Sequence, residues 1–340
     1  MSVDIAIDLG TSRTRICIPE KKLIIDEPSV ITIDLENEKI IAVGDKAYDM
    51  LGKTSERFNV MYPLSGGVVC DFDAVHDMIT YLLNKIGQGK FTMPRIVACI
   101  PAEITDVEKR AVVNAISSTG VRKIYLIEEP VAAALGCGLK IDEPEGFMVV
   151  NIGGGTTEIA VLSLGGLASY NSLKIAGDSY DDEIIKYMKS QYGLFIGKRT
   201  AEKVKMTIGC TIPFPEEKFM QVKGRDMISG LPKGITIGSN ELIEILNIPT
   251  KKIVIKLKEI LENTPPELIG DVFASGIHFS GGIANLYGLD QIFAQNTGLN
   301  VHVPKSPEHS VIEGTCTSLK YIGDLDNKSY GAINPLVEEF

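Results

Sequence analysis

The chain is predicted to be an α/β protein built as two similar domains, and three observations lead there. Strand-like runs alternate with helical ones along most of the 340 residues. A strand-turn-strand device occurs twice, about half the chain apart, which suggests paired domains rather than a solenoid of short repeats. Three glycine-bearing turns, at Gly10, at Gly153, Gly154 and Gly155, and at Gly281 and Gly282, each follow a strand. Such turns are where α/β sheets bind phosphates, because backbone donors there approach a ligand closely.

The first copy of the device is Val3–Ile7, the turn Asp8-Leu9-Gly10-Thr11-Ser12-Arg13, and the strand Thr14–Ile18. The second has two β-branched runs, Met148–Val150 and Ile159–Leu162, flanking three glycines and two threonines. Asp8 matches Asn151, Gly10 matches Gly153, and Thr14 matches Thr157. Glycines admit positive φ and carry no Cβ, so successive N–H groups can converge on an anion.

Short β-type runs at Ser29–Ile33 and Lys39–Val43 and a helical patch near Lys46–Leu51 read as a small insertion. A helix follows Asp71 as its N-cap, with Val75, Met78, Ile79, Leu82, Leu83 and Ile86 at the 3.6 period and Gly87 as its stop. Arg95–Ile100 is a buried strand. Thr105 and Glu108 form a capping box for a helix to Ser118. The strand Lys123–Ile127 leads into Glu128-Glu129-Pro130, with Pro130 at a helix start and Gly136 past its end.

In the second half, Leu167–Ile175 reads as a strand, Ser179–Tyr192 and 198–209 as helices, and 211–238 as short strands. Two helical stretches flank Pro249, which is expected to end or kink the first. The helix Pro265–Phe273 precedes the strand Ile277–Ser280, and a helix near Ile312–Ile322 precedes a polar tail.

Composition narrows the function classes. A net charge of −10 argues against a nucleic-acid surface and gives no general attraction to anionic membranes. The six cysteines include no C-x-x-C pair, so neither zinc nor a disulfide framework is indicated and reduced thiols are expected. No apolar run approaches the roughly 18 residues of a membrane span, and Asp4 and Asp8 stand where a signal peptide needs an apolar run. A cytoplasmic protein is expected.

The glycine turns fit neither Gly-x-x-x-x-Gly-Lys-[Ser/Thr] nor Gly-x-Gly-x-x-Gly, so P-loop and dinucleotide readings lose support. Read alone, Glu202 and Lys205 fit a surface ion pair. Glu129 fits a carboxylate on a helix dipole, and Asp8 a turn residue bonding its own backbone.

Five segments nevertheless resemble, in order, the nucleotide site of the actin-like ATPase superfamily: Ile7-Asp8-Leu9-Gly10-Thr11, Glu128-Glu129-Pro130-Val-Ala-Ala-Ala, Asn151-Ile-Gly-Gly-Gly-Thr-Thr-Glu158, Ala176-Gly177-Asp178 and Ser280-Gly281-Gly282. Within it the chain is similar to the bacterial actin MreB family. Gly-Lys-Arg-Thr-Ala-Glu at 197–202 and Asn263-Thr-Pro-Pro-Glu-Leu, with asparagine for the family's lysine, add to the likeness.

That resemblance implies two ribonuclease-H-like domains, 1–142 with 313–340 and 143–312, carrying inserted subdomains at about 30–70 and about 182–248. It implies ATP or ADP with Mg²⁺ in the cleft. Gly10, Thr11 and Ser12, with Arg13 beside them, would hold the β-phosphate side, and Gly153, Gly154, Gly155, Thr156 and Thr157 the γ-phosphate side. Gly177 and Asp178 would adjoin the nucleotide. Glu202 and Lys205 would meet ribose and base, and Gly281, Gly282 and Ile283 would close the adenosine pocket. Asp8 would bind Mg²⁺ through water, and Glu129 and Thr156 would orient the attacking water.

Two departures bear on chemistry. Asn151 stands where the family has aspartate, so the metal side there is weakened. Ser65 and Gly66 replace a lysine and an aspartate near the phosphates, and a lost lysine removes a charge that stabilises the transition state. The expected function is a filament-forming, ATP-binding cytoskeletal protein for cell shape or motility, with weak hydrolysis. A non-hydrolysing subunit co-polymerising with paralogous bacterial actins and a small-molecule kinase of the same superfamily are the alternatives. Phe91 and Met93, in the loop Gly89-Lys90-Phe91-Thr92-Met93, would give at most a weak anchor at the inner face of the membrane.

Overall fold

A computed structural model describes residues 4–19, 22–87 and 94–321. Phe91 and Met93, expected above to give a weak membrane anchor, and the tail after Tyr321 lie outside the described residues.

Two five-stranded sheets share one topology. In the first, the order is Lys123–Glu128, Arg95–Ile100, Asp4–Leu9, Arg13–Ile18, Lys22–Pro28. The last three form an antiparallel meander, and Asp4–Leu9 continues in parallel into Arg95–Ile100 and Lys123–Glu128. In the second, Gly166–Leu173, Thr157–Ser163 and Phe147–Ile152 form the meander, and Ile277–Ser280 and Val301–His302 add in parallel. The repeat legible in two hairpins therefore extends to whole sheets. Lys22–Pro28 is absent from the sequence reading, because Asp26 and Glu27 interrupt its apolar pattern.

The central strands are apolar on both faces, as strands covered on both sides must be. Each sheet packs on its own cluster: Ile5, Ile7, Met78, Ile79 and Ile96 in the first half, and Val150, Ile159, Tyr180, Leu257 and Phe279 in the second. A third cluster lies between them, where the helices Glu129–Gly136 and Ser310–Ser318 join Ala6 and Val97 to Val149 and Ala160. These helices approach so closely that a Cβ on Gly314 would overlap the Ala132 carbonyl oxygen.

The Asp71 cap holds, its Oδ1 accepting from Ala74 N at 3.0 Å, and the Thr105–Glu108 box is complete. Two expectations are corrected. A single helix, Ile243–Asn263, runs through Pro249. Pro249 and its neighbours Leu246, Thr250 and Ile253 are buried, and this packing outweighs the one lost backbone bond. The Thr250 hydroxyl also donates to the Leu246 carbonyl at 2.8 Å. The cysteines are not all unpaired: Cys17 and Cys316 form a disulfide across 299 residues. Sequence spacing does not reveal a pair that meets only because the helix Ser310–Ser318 packs on the first sheet.

Candidate functional site

The two phosphate-type turns face each other. Each links antiparallel strands at the corresponding corner of its sheet, so the shared topology brings them together. A Cβ on Gly154 would sit 2.6 Å from Ser12 Cβ, and one on Gly155 would sit 2.5 Å from Thr11 Oγ1. Gly10 is equally confined, by the Arg13 carbonyl oxygen at 2.6 Å. None of these glycines has positive φ. Close approach, and not backbone conformation, is what demands glycine here.

Further contacts tighten the corner. Thr11 Oγ1 accepts from Gly67 N at 2.8 Å, bringing in the hairpin of Leu64–Ser65 and Val68–Val69. Gly177 N donates to Gly153 O at 3.0 Å and Asp178 N to Gly154 O at 2.8 Å, so the helix Gly177–Tyr192 begins against the glycine turn. Thr157 is fully buried, its hydroxyl donating to Ile175 O at 2.6 Å, whereas Thr156 lies beside Gly67. Arg13 turns to Asp26, donating to its carboxylate at 2.5 Å and its carbonyl at 2.6 Å.

Four residues place charge and amide chemistry behind the turns. Asp8 is buried at a strand end, and burial raises its carboxyl above the usual range while Arg15, at 3.4 Å, opposes the rise. Glu129 opens its helix, and burial followed by repulsion from Glu158 and Asp8 pushes it well above the usual glutamate range. Asn151 Nδ2 donates to Glu129 Oε2 at 3.1 Å, and Ser280 Oγ donates to Asn151 Oδ1 at 3.0 Å. Position 151 thus supplies a donor that orients Glu129, a contact an aspartate would not make. Glu158 is pushed up to about 7, chiefly by burial, against bonds from Ser172 Oγ at 2.6 Å and Ala102 N at 3.4 Å.

The third region lies on the helix Lys198–Ile208. Glu202 and Lys205 share a face but do not pair with each other. Lys205 is buried, donating to Gly177 O at 3.0 Å and Asp181 Oδ2 at 2.9 Å. Glu202 accepts from the Tyr48 hydroxyl at 2.5 Å. Gly281, at φ 84°, lies so near Ile152 that a Cβ would overlap its carbonyl. Gly281 N donates to Pro307 O at 2.7 Å, Gly282 is open, and Ile283 is buried. Arg15, Asp181 and Tyr48 escaped the sequence reading, whereas Ser280 lay inside a quoted motif without a role of its own. Arg15 alone had a local signal, since hairpin register sets it opposite Asp8.

The residues present fit a nucleotide with a magnesium ion. The facing glycine turns leave backbone where any Cβ would intrude, which suits phosphate oxygens. Among the described residues no three His, Cys, Asp or Glu side chains cluster as a metal cage. The buried carboxylate of Asp8 fits Mg²⁺, which keeps its waters and takes few protein ligands. No helix among the described residues is long and apolar enough to cross a membrane.

Known proteins share this fold. The family model for MreB/Mbl protein matches residues 2–327. The chain is 41% identical over 327 residues to the cell shape-determining protein Mbl of Bacillus cereus, covering 96% of this chain and 98% of that one. It is 39% identical over 334 residues to the cell shape-determining protein MreB of Escherichia coli, covering 95% and 96%. The crystal structure of MreB5 of Spiroplasma citri bound to AMPPNP superposes with a TM-score of 0.92 at 35% identity, over 96% of this chain and 99% of that one. The same protein bound to ADP matches equally well. A MamK double helical filament subunit, 20% identical with a TM-score of 0.80 over 94% and 99%, shares the fold.

Proposed function

Because the chain belongs to the MreB/Mbl family of cell shape-determining, actin-like proteins, we propose that it binds ATP and ADP with Mg²⁺ between its two sheets and polymerises with itself in the cytoplasm. The observation that carries the reading is the pair of glycine turns in mutual contact, one from each sheet. Gly10, Thr11 and Ser12 hold one side of the phosphate chain, and Gly153 to Thr157 hold the other. When bound, Mg²⁺ would offset phosphate charge, and Asp8 would hold it through water. Glu129, anchored by Asn151, orients a water toward the terminal phosphate together with Thr156.

Hydrolysis in this reading is weak. The Asn151 amide adds no negative charge on the metal side, and Ser65 supplies no cation near the phosphates. Those positions also favour a second reading, a subunit that co-polymerises with paralogous actins and leaves hydrolysis to them. Sedimentation with ATP, with ADP and without nucleotide, with phosphate release on the same samples, tests both. Pelleting with ATP and slow release is expected. Pelleting only after a paralogue is added supports the second reading, and no pelleting in any mixture refutes both.

A further inference from the structure

The helix Asp45–Met50, in the inserted part of the first half, touches the helix Lys198–Ile208 of the second half. Tyr48 donates its hydroxyl to Glu202 Oε2 at 2.5 Å. The Arg199 guanidinium lies 4.8 Å from the Tyr48 ring centroid, and it donates to Tyr48 O at 3.4 Å and Asp49 Oδ1 at 2.8 Å. Arg199 and Glu202 are three residues apart and share one helix face. The two contacts are therefore made by one patch, 150 residues or more from its partner in sequence.

We infer that Tyr48 is a further residue of the nucleotide site: it latches the two halves across the mouth of the cleft and fixes the Glu202 carboxylate for the ribose. The inference rests on the nucleotide-binding reading above. Among the described residues Oε1 of Glu202 has no hydrogen-bond partner, while Oε2 is taken by Tyr48. One oxygen is thus anchored and the other is open to a ribose hydroxyl, which donates to it. The ring, with Arg199 over its face and its hydroxyl on the Glu202 carboxylate, cannot leave without breaking a charge-assisted bond and a cation–π contact together. Opening the cleft requires both to break, so the latch slows nucleotide release as well as orienting Glu202.

Release of radiolabelled ADP, followed by filter retention, tests this. Tyr48→Phe keeps the ring and removes only the hydroxyl, and is expected to speed release about tenfold, as loss of one such bond would. Glu202→Gln is expected to speed release too, and adding Tyr48→Phe to it to cause little further change, because the two groups act as one unit. A wild-type rate for Tyr48→Phe, or fully additive effects, overturns the inference. A wild-type chain that retains no ADP overturns the nucleotide reading itself. In that case amide exchange of the unliganded protein decides the latch: faster exchange at 45–50 and 198–205 in Tyr48→Phe and Arg199→Ala upholds it, and unchanged exchange overturns it.

Discussion

At the scale of single residues, buried carboxyl groups set how the protein responds to pH. Glu158 is fully buried, and its carboxyl is pushed up to about 7 from the ordinary glutamate value. The native state therefore binds its proton more tightly than the unfolded chain does. The stability this group contributes is complete below the unfolded value and is lost as pH rises through about 7. Urea denaturation of wild type and Glu158→Gln should show the wild type falling relative to the variant between pH 5 and 8; parallel curves would refute the assignment. Asn151 teaches a related point. Its sequence position suggested a lost metal contact, and the structure adds a donor bond that holds Glu129. Glu129, Asp8 and the glycine turns could be picked out from the sequence because each lies inside a short motif. The Asn151, Ser280 and Glu129 chain could not, since it joins two strands and a helix through residues 22 and 129 apart in sequence.

At the scale of elements, helix ends and helix crossings separate local from distant causes. The capping box at Thr105 is entirely local: Thr105 Oγ1 accepts from Glu108 N at 3.2 Å, and Glu108 Oε2 accepts from Thr105 N at 2.8 Å. Thr105→Ala should cost about 1 kcal/mol, read from the denaturation midpoint. Gly314 is the opposite case. Nothing in its own helix asks for glycine, which lowers helix propensity. Its requirement comes from Ala132 on the crossing helix, whose carbonyl a Cβ would overlap. Gly314→Ala should destabilise by several kcal/mol, far more than the cap change, because two backbones must separate. A thermal midpoint equal to wild type would contradict the close crossing. Pro249 failed as a helix breaker for a similar reason, because burial of its neighbours decides the conformation.

For the whole molecule, the covalent link from Cys17 to Cys316 ties the second strand of the first sheet to the last α-helix among the described residues. Closing so long a loop restricts the unfolded chain, so reduction should lower unfolding stability by about 2–4 kcal/mol. Denaturant midpoints with and without reductant, compared with Cys316→Ser, measure it. An equal loss on reduction and on substitution is expected, with no reductant effect in the variant. The duplicated sheet topology acts at the same scale. It sets one glycine turn opposite the other, and it leaves the helices Glu129–Gly136 and Ser310–Ser318 to join the halves.

By itself the sequence determined the strand-turn-strand pairs, the alternation of strand and helix, the helix caps and the glycines of the two facing turns. All of these follow from hydrogen bonds, sterics and side-chain periods that act within a few residues. Only the tertiary structure decided that Tyr48 meets Glu202, that Arg13 turns to Asp26, that Lys205 is buried against Asp181 and that Cys17 reaches Cys316. Those pairings depend on how packed layers fill space, and a side chain takes the partner that burial brings within its reach.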